Sequence, residues 1–261
     1  MWKQIIDDYR THLQASGRRP ETIRTRLSYL RRWSTFCPDP DAATRLIAEE
    51  WLASHDWAPE TLKSARATLV GFYGWREDMT GRSYGMHRLG SVTVPKSVPR
   101  PVGENVVRIG LGSNDPDTRL MVSLHALCGL RRSEVARIHT RDADSGWLRV
   151  RGKGGRVRRI PAPPGVLAEM RSRPAGYVFP GGSGGGHLHP ATVQKRVKRA
   201  TGHAPHGFRH RYATRAYRGS SDLLGVQQLL GHSSPETTQR YVLMDDDRLR
   251  GTAAGCWEVG E

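Results

Sequence analysis

Residues 206–217 read HGFRHRYATRAY. His206, His210, Arg209, Arg211 and Arg215 stand among Phe208, Tyr212, Ala213 and Ala216, whose spacing is that of a partly buried helix. His206 and Arg209 are three apart and share one face of it. Cations held beside a core need an anion to face, because an unpaired buried charge is costly.

The composition supplies a candidate for that anion. Across 261 residues, 41 Lys and Arg oppose 25 Asp and Glu, giving a net charge of +16 and a pI near 10.5. That excess points to a polyanion, with nucleic acid first among the candidates. The charge is uneven: residues 1–95 carry 14 basic and 11 acidic side chains (+3), residues 96–261 carry 27 and 14 (+13). No apolar run reaches the length of a membrane span and the N-terminus is amphipathic, so a soluble, cytoplasmic protein without membrane partners is expected. Cys37, Cys128 and Cys256 are odd in number and lack CxxC spacing, which argues against disulfides and structural zinc.

The chain divides at RLGSVTVPKSVPRPVG, residues 88–103, where Pro95, Pro99 and Pro101 favour an extended connector with Lys96 and Arg100 as cations. The expected domains are a helical 1–88, a linker 89–102 and a mixed 103–261, with an acidic, apolar-dotted tail at 242–261. In the first domain four helical patterns form a bundle, and Arg24, Arg26, Arg31 and Arg32 are expected on its outside. In the second, DPDTRLMVSLHALCG is a helix capped by Asp115 and stopped by Gly129. WLRVRGKGGRVRRIP is a hairpin with strands at 147–151 and 156–160. PATVQKRVKRATG is a basic helix carrying Lys195, Arg196, Lys198 and Arg199. The fold class is therefore mainly α with a small β-sheet. PGGSGGGH lacks the ending of a phosphate loop and is read as a flexible loop.

Five islands remain: CGLRRSEV, RGKGGR, HGFRH, LLGH, and a tyrosine nine residues after that last histidine. Singly, each has an ordinary explanation in a helix start, a turn or a cap. In this order and spacing they resemble the boxes of the tyrosine site-specific recombinases, the family of phage integrases and chromosome-dimer resolvases, over most of the chain. The resemblance makes Arg131 and Arg209 the catalytic arginines, with Glu134 supporting them and Lys153 on the hairpin tip. It makes His206 and His232 the site histidines and Tyr241 the nucleophile. It also implies a helical core-binding domain joined to a mixed catalytic domain, the two clamping DNA. Further implications are four protomers in the synaptic complex, C-terminal tails docking between neighbours, and a small form without an arm-binding domain.

The chemistry agrees with these residue types. A tyrosine with an ordinary pKa near 10 needs a positive field or a base to attack phosphorus at neutral pH. Two arginines can fork onto the non-bridging oxygens of a phosphodiester and stabilise its transition state. By resemblance, Lys153 protonates the leaving 5′ oxygen, His206 accepts the tyrosine proton and His232 donates to phosphate; spacing alone does not separate the two histidines. No cofactor and no metal are required. His203, His206 and His210 lack a completing cysteine or carboxylate, and DDD at 245–247 reads as a solvated turn.

The expected function is site-specific DNA recombination through a covalent 3′-phosphotyrosine, integrating or excising a phage or mobile element. The expected partners are double-stranded DNA with core-type sites, further copies of the chain, and an accessory DNA-bending or directionality protein. Candidate DNA contacts are Arg24, Arg26, Arg31, Lys96, Arg100, Arg132, Lys195, Arg196, Lys198 and Arg199. The alternatives are a dimer resolvase of the same family, a type IB topoisomerase, or a DNA-binding regulator without catalysis.

Overall fold

The computed structural model describes residues 1–95, 100–152, 155–182 and 186–231. The chain forms two compact units, Met1–Ser97 and Val98–Glu261.

The first unit is helical throughout. α1 (Trp2–Ala15) turns Ile6, Tyr9 and Leu13 inward, and α2 (Pro20–Phe36) does the same with Ile23, Leu27, Leu30 and Trp33. These spacings of three and four keep each set on one stripe. Pro20 lies in the first turn of α2, where its missing N–H has no helical partner to lose. α3 (Arg45–Ala53) is capped by Thr44, whose hydroxyl accepts from the Ile47 N–H. α4 (Pro59–Thr80) buries Leu69, Phe72 and Tyr73 along its length. The core is aromatic: Trp33 meets Trp51 edge-on, with ring centroids 5.3 Å apart, and its indole N–H donates to the Tyr73 hydroxyl at 2.8 Å. Asp41 accepts from Arg76 and, at 2.6 Å, from the Tyr84 hydroxyl, tying the loop before α3 to the end of α4.

The second unit is built around α6 (Pro116–Ala126), whose residues from Leu120 to Ala126 are all buried. A helix covered on every side needs neighbours on every side, and here they are α5 (Glu104–Leu111), α7 (Arg132–Arg137), α8 (Pro164–Arg171), α9 (Pro190–Thr201) and α10 (Pro205–Ser220). Asp115 caps α6 as its sequence predicts, but the helix stops at Ala126, three residues before Gly129. Gly129 has φ +66°, and a Cβ there would lie 2.4 Å from the Tyr212 ring, so the turn needs glycine both for its backbone and for that approach.

An antiparallel sheet of order β1-β2-β3 flanks the helices, formed by β1 (Ala143–Asp144), β2 (Trp147–Arg151) and β3 (Val157–Pro161). The hairpin is present with its second strand one residue later than expected; β1 has too short a pattern to be read from sequence. Leu148 pairs with Ile160 and Val150 with Arg158. Alternation therefore places Arg158 on the same face as the buried Leu148, Val150 and Ile160. After α10, Asp222 caps α11 (Leu223–Leu230) by accepting from the Gly225 N–H at 2.8 Å.

Both ends of the proline-rich connector are anchored. Leu89 is buried in the first core and its carbonyl accepts from Arg66. Val102 is buried in the second core and donates to the Gly207 carbonyl at 3.2 Å.

Replacing Tyr73 by Phe should strand the buried Trp33 N–H and destabilise the first unit by about 1–3 kcal/mol. Five of the seven tryptophans, at 2, 33, 51, 57 and 75, lie in that unit. Denaturant unfolding of the full chain followed by tryptophan fluorescence reads the change, and an unmoved midpoint would show the bond to be energetically neutral.

Candidate active site

One carboxylate gathers the elements of the second unit. The Arg131 N–H donates to Glu134 Oε2 at 2.8 Å, so the third residue of α7 reaches back to close the helix start. That turn leaves the Glu134 side chain only 3% exposed. A buried carboxylate is strongly unfavourable unless paired, and Glu134 is paired several times. Arg158 forks onto it from β3, Nη1 to Oε1 and Nη2 to Oε2, each at 2.9 Å. Arg131 Nη1 donates to Oε1 at 3.0 Å, and Arg209 Nη1 stands 3.9 Å from Oε2. Burial alone would raise the Glu134 pKa. The hydrogen bonds and charge of Arg158, the Arg131 N–H and the charge of Arg209 together outweigh it and hold the carboxyl below its ordinary value.

The same three guanidinium groups hold the C-terminal end of α11. Arg158 Nε donates to the Leu229 carbonyl at 2.8 Å and Arg209 Nη2 to that of Leu230 at 2.6 Å. Arg131 donates to Leu230 and Gly231, both at 3.2 Å. The last carbonyls of a helix have no partners within it and carry the negative end of its dipole, so cations suit them. Gly231 ends α11 at φ +62°, and a Cβ there would lie 3.1 Å from the Arg158 side chain. Arg209, itself 3% exposed, also donates to the Gly129 carbonyl.

Among the described residues, three guanidinium charges against one carboxylate leave two formal positive charges at this spot. Arg131 is the most open of the three at 34% side-chain exposure, against 12% for Arg158. His206 lies beside them in the first turn of α10. It is exposed as a residue, yet partial desolvation of its ring, followed by the charges of Arg209 and Arg131, lowers its pKa. The imidazole is therefore neutral at pH 7 and keeps a lone pair that can accept a proton. The His210 ring packs against it, with centroids 4.0 Å apart. Arg211 and Arg215 pair with Glu104, and Arg211 also donates to the Ala126 carbonyl, so both brace α10.

The structure brings together Arg131, Glu134, His206 and Arg209 of the expected set. Lys153, His232, Tyr241 and Lys96 lie outside the described residues, as does the 242–261 tail. Arg24, Arg31, Arg100, Arg132, Lys195, Lys198 and Arg199 are exposed. Arg132 bonds to Gln194. Two further expected DNA contacts also bond within the protein: Arg26 donates to the Tyr9 hydroxyl at 3.2 Å, and Arg196 pairs with Asp117 at 2.9 Å. Among the described residues no cluster suits a metal ion, and no helix is long and apolar enough to cross a membrane.

Sequence reading missed Arg158, although strict alternation from Ile160 puts it on the inner face. It also missed His125, fully buried on α6, whose Nδ1 lies 2.8 Å from the Leu130 carbonyl and which steadies the turn leading into Arg131. A third omission lies in the first unit. An open groove of about 400 Å³ between α1 and α2 adds Arg10 and Arg18 to Arg24 and Arg31, over a floor of Ile23 and Leu27.

Residues 106–248 match the phage integrase family. The tyrosine recombinase XerA of Pyrococcus furiosus is 27% identical over 95% of this chain and 92% of its own length. A lambda integrase dimer bound to a COC′ core site superposes with a TM-score of 0.75 at 19% identity, covering 94% of this chain and 77% of that one. A lambda integrase tetramer bound to a Holliday junction gives 0.70 at 18% identity, covering 89% and 77%. The structural likeness shows a shared fold, a helical unit followed by a mixed unit with a small sheet.

Burial holds the His125 pKa down to about 4. The unfolded chain takes up this proton near pH 6.5, whereas the folded protein resists it to about pH 4. Stability is therefore full above pH 6.5 and falls as pH drops through that window, by up to about 1.4 kcal/mol per pH unit. His206, shifted the same way, adds to the slope. His125→Gln should flatten it in unfolding measured between about pH 6.5 and 4.5. A variant that keeps the whole slope would place the proton uptake elsewhere.

Proposed function

The chain belongs to the phage integrase family of tyrosine recombinases, and we propose that Arg131, Arg209 and His206 hold and activate one DNA phosphodiester for attack by Tyr241. The enzyme class follows from the family: a DNA strand transferase. The observation that carries the division of roles is the positive cluster around Glu134 with a neutral histidine at its edge. Such a cluster suits a phosphate that gains charge in its transition state.

In this reading Arg131 and Arg209 bind the non-bridging oxygens and hold the phosphorus in line. The Tyr241 oxygen forms a bond to phosphorus while the bond to the 5′ oxygen breaks. The phenolic proton passes to His206, Lys153 gives a proton to the departing oxygen, and His232 donates to the phosphate. The 3′-phosphotyrosine conserves the phosphodiester energy, so a 5′ hydroxyl from a partner strand reverses the step and rejoins DNA without ATP. Tyr212 and Tyr217 are poorer nucleophiles: burial raises the Tyr212 pKa, and Tyr217 is buried within the contact of α10 with α11.

DNA approaches each unit through its exposed cations, Arg24 and Arg31 on α2 and Lys195, Lys198 and Arg199 on α9. Four protomers form the synaptic complex, with the 242–261 tail docking between neighbours, and an accessory DNA-bending protein sets direction. The proposed biological role is integration and excision of a mobile element. A second role, resolution of chromosome or plasmid dimers, is favoured by the match to XerA along nearly the whole of both chains.

The test is covalent trapping on nicked duplexes, drawn from DNA flanking the coding sequence and from a pool with randomised arms. A DNA-linked protein band should form with the wild type and vanish with Tyr241→Phe. Arg131→Ala should slow its formation by about 30- to 1000-fold, the loss of about 2–4 kcal/mol of transition-state stabilisation. A band persisting in Tyr241→Phe would name a different nucleophile. Tight binding without any band would move the chain to the regulator reading.

A further inference from the structure

We propose that Arg158 is a positioning residue of the strand-transfer site, fixing the Glu134 carboxylate and the end of α11 so that Arg131 and Arg209 face one phosphate. This rests on reading those two arginines as the phosphate ligands. Arg158 occupies an inward position of β3, opposite Val150 and beside Ile160, where alternation calls for an apolar side chain. A cation there is a cost to the core, offset by what it reaches. Its fork covers both oxygens of Glu134, and its Nε takes the Leu229 carbonyl.

Both partners are shared with the proposed phosphate ligands. Glu134 also accepts from Arg131 and faces Arg209, and the end of α11 accepts from both. Arg158 thus sets the position of each anchor used by the other two. With 12% exposure and Nε, Nη1 and Nη2 all directed inward, it acts through them rather than on phosphate. Neutralising Glu134 would need only a charge; spanning a carboxylate and a helix end needs the planar fork of arginine, which the single ammonium of lysine does not supply. Gly231 matches this role, because its missing Cβ admits the Arg158 side chain.

The test uses the full chain and the nicked duplex that the wild type captures covalently from the randomised pool. DNA affinity and the single-turnover rate of adduct formation at saturating DNA are measured for wild type, Arg158→Gln and Arg158→Lys. In Arg158→Gln the rate should fall about 100-fold, the scale of a misplaced reacting group, with affinity changed by less than about threefold. The charged groups facing Glu134 are Arg131 from the start of α7, Arg158 from β3 and Arg209 from α10, with His125 nearby on α6. Removing Arg158 lets the Glu134 carboxyl rise, so the acid limb of the pH–rate profile should move to higher pH. Arg158→Lys should regain part of the rate and most of the profile; it also carries the comparison if the Gln variant does not fold.

An unchanged rate in a folded Gln variant would overturn the proposal. So would equal losses of rate and affinity with the pH profile unmoved, or full rescue by lysine. A wild type that forms no adduct removes the premise itself, an outcome distinct from an adduct insensitive to Arg158.

Discussion

A carboxylate with almost no access to water sets the geometry of the second unit. Glu134 is contributed by α7, yet its partners come from the start of its own helix, from β3 and from α10. Two unit charges of like sign about 4 Å apart repel by about 1 kcal/mol in water and about 4 kcal/mol at the effective dielectric of a protein surface. Three guanidinium groups gathered without an anion would therefore spread apart. One glutamate suffices to hold them together and still leaves a positive field outside, which a second glutamate would halve.

Much of this arrangement was legible in the sequence because it is local. The helices follow from apolar spacing and from caps such as Asp115 and Thr44, and Arg131, Glu134, His206 and Arg209 sit in short boxes whose members are three residues apart. Arg158 was hidden for a different reason. It stands among Arg156, Arg159 and other hairpin cations, and its meaning depends on α11, 71 residues away along the chain. His125 reads as one more residue of an apolar helix, and only the reversal at Gly129 gives its ring a carbonyl to meet. Arg26 looked like Arg24 and Arg31 because nothing nearby in sequence shows that Tyr9 will lie under it.

Net charge is for the same reason an imperfect map of where DNA binds. Of the 41 basic residues, Arg76, Arg158, Arg173 and Arg211 are tied into the protein by carboxylates or carbonyls. They raise the pI without lying open to a phosphate backbone. The groove between α1 and α2 shows the converse, with Arg10 and Arg18 joining Arg24 and Arg31 on an open surface although the unit as a whole is nearly balanced.

The end of α11 is held through three successive backbone carbonyls, at Leu229, Leu230 and Gly231, and main-chain oxygens keep their place whichever side chains accompany them. What counts is the phase at which the helix ends. Each residue turns an α-helix by about 100°, so one residue inserted or deleted between Asp222 and Leu229 would swing the acceptors away from their arginines, while many exposed replacements such as those at Leu224 or Gln228 would leave them in register. The segment works as a ruler, whose length constrains the site more strictly than its lettering.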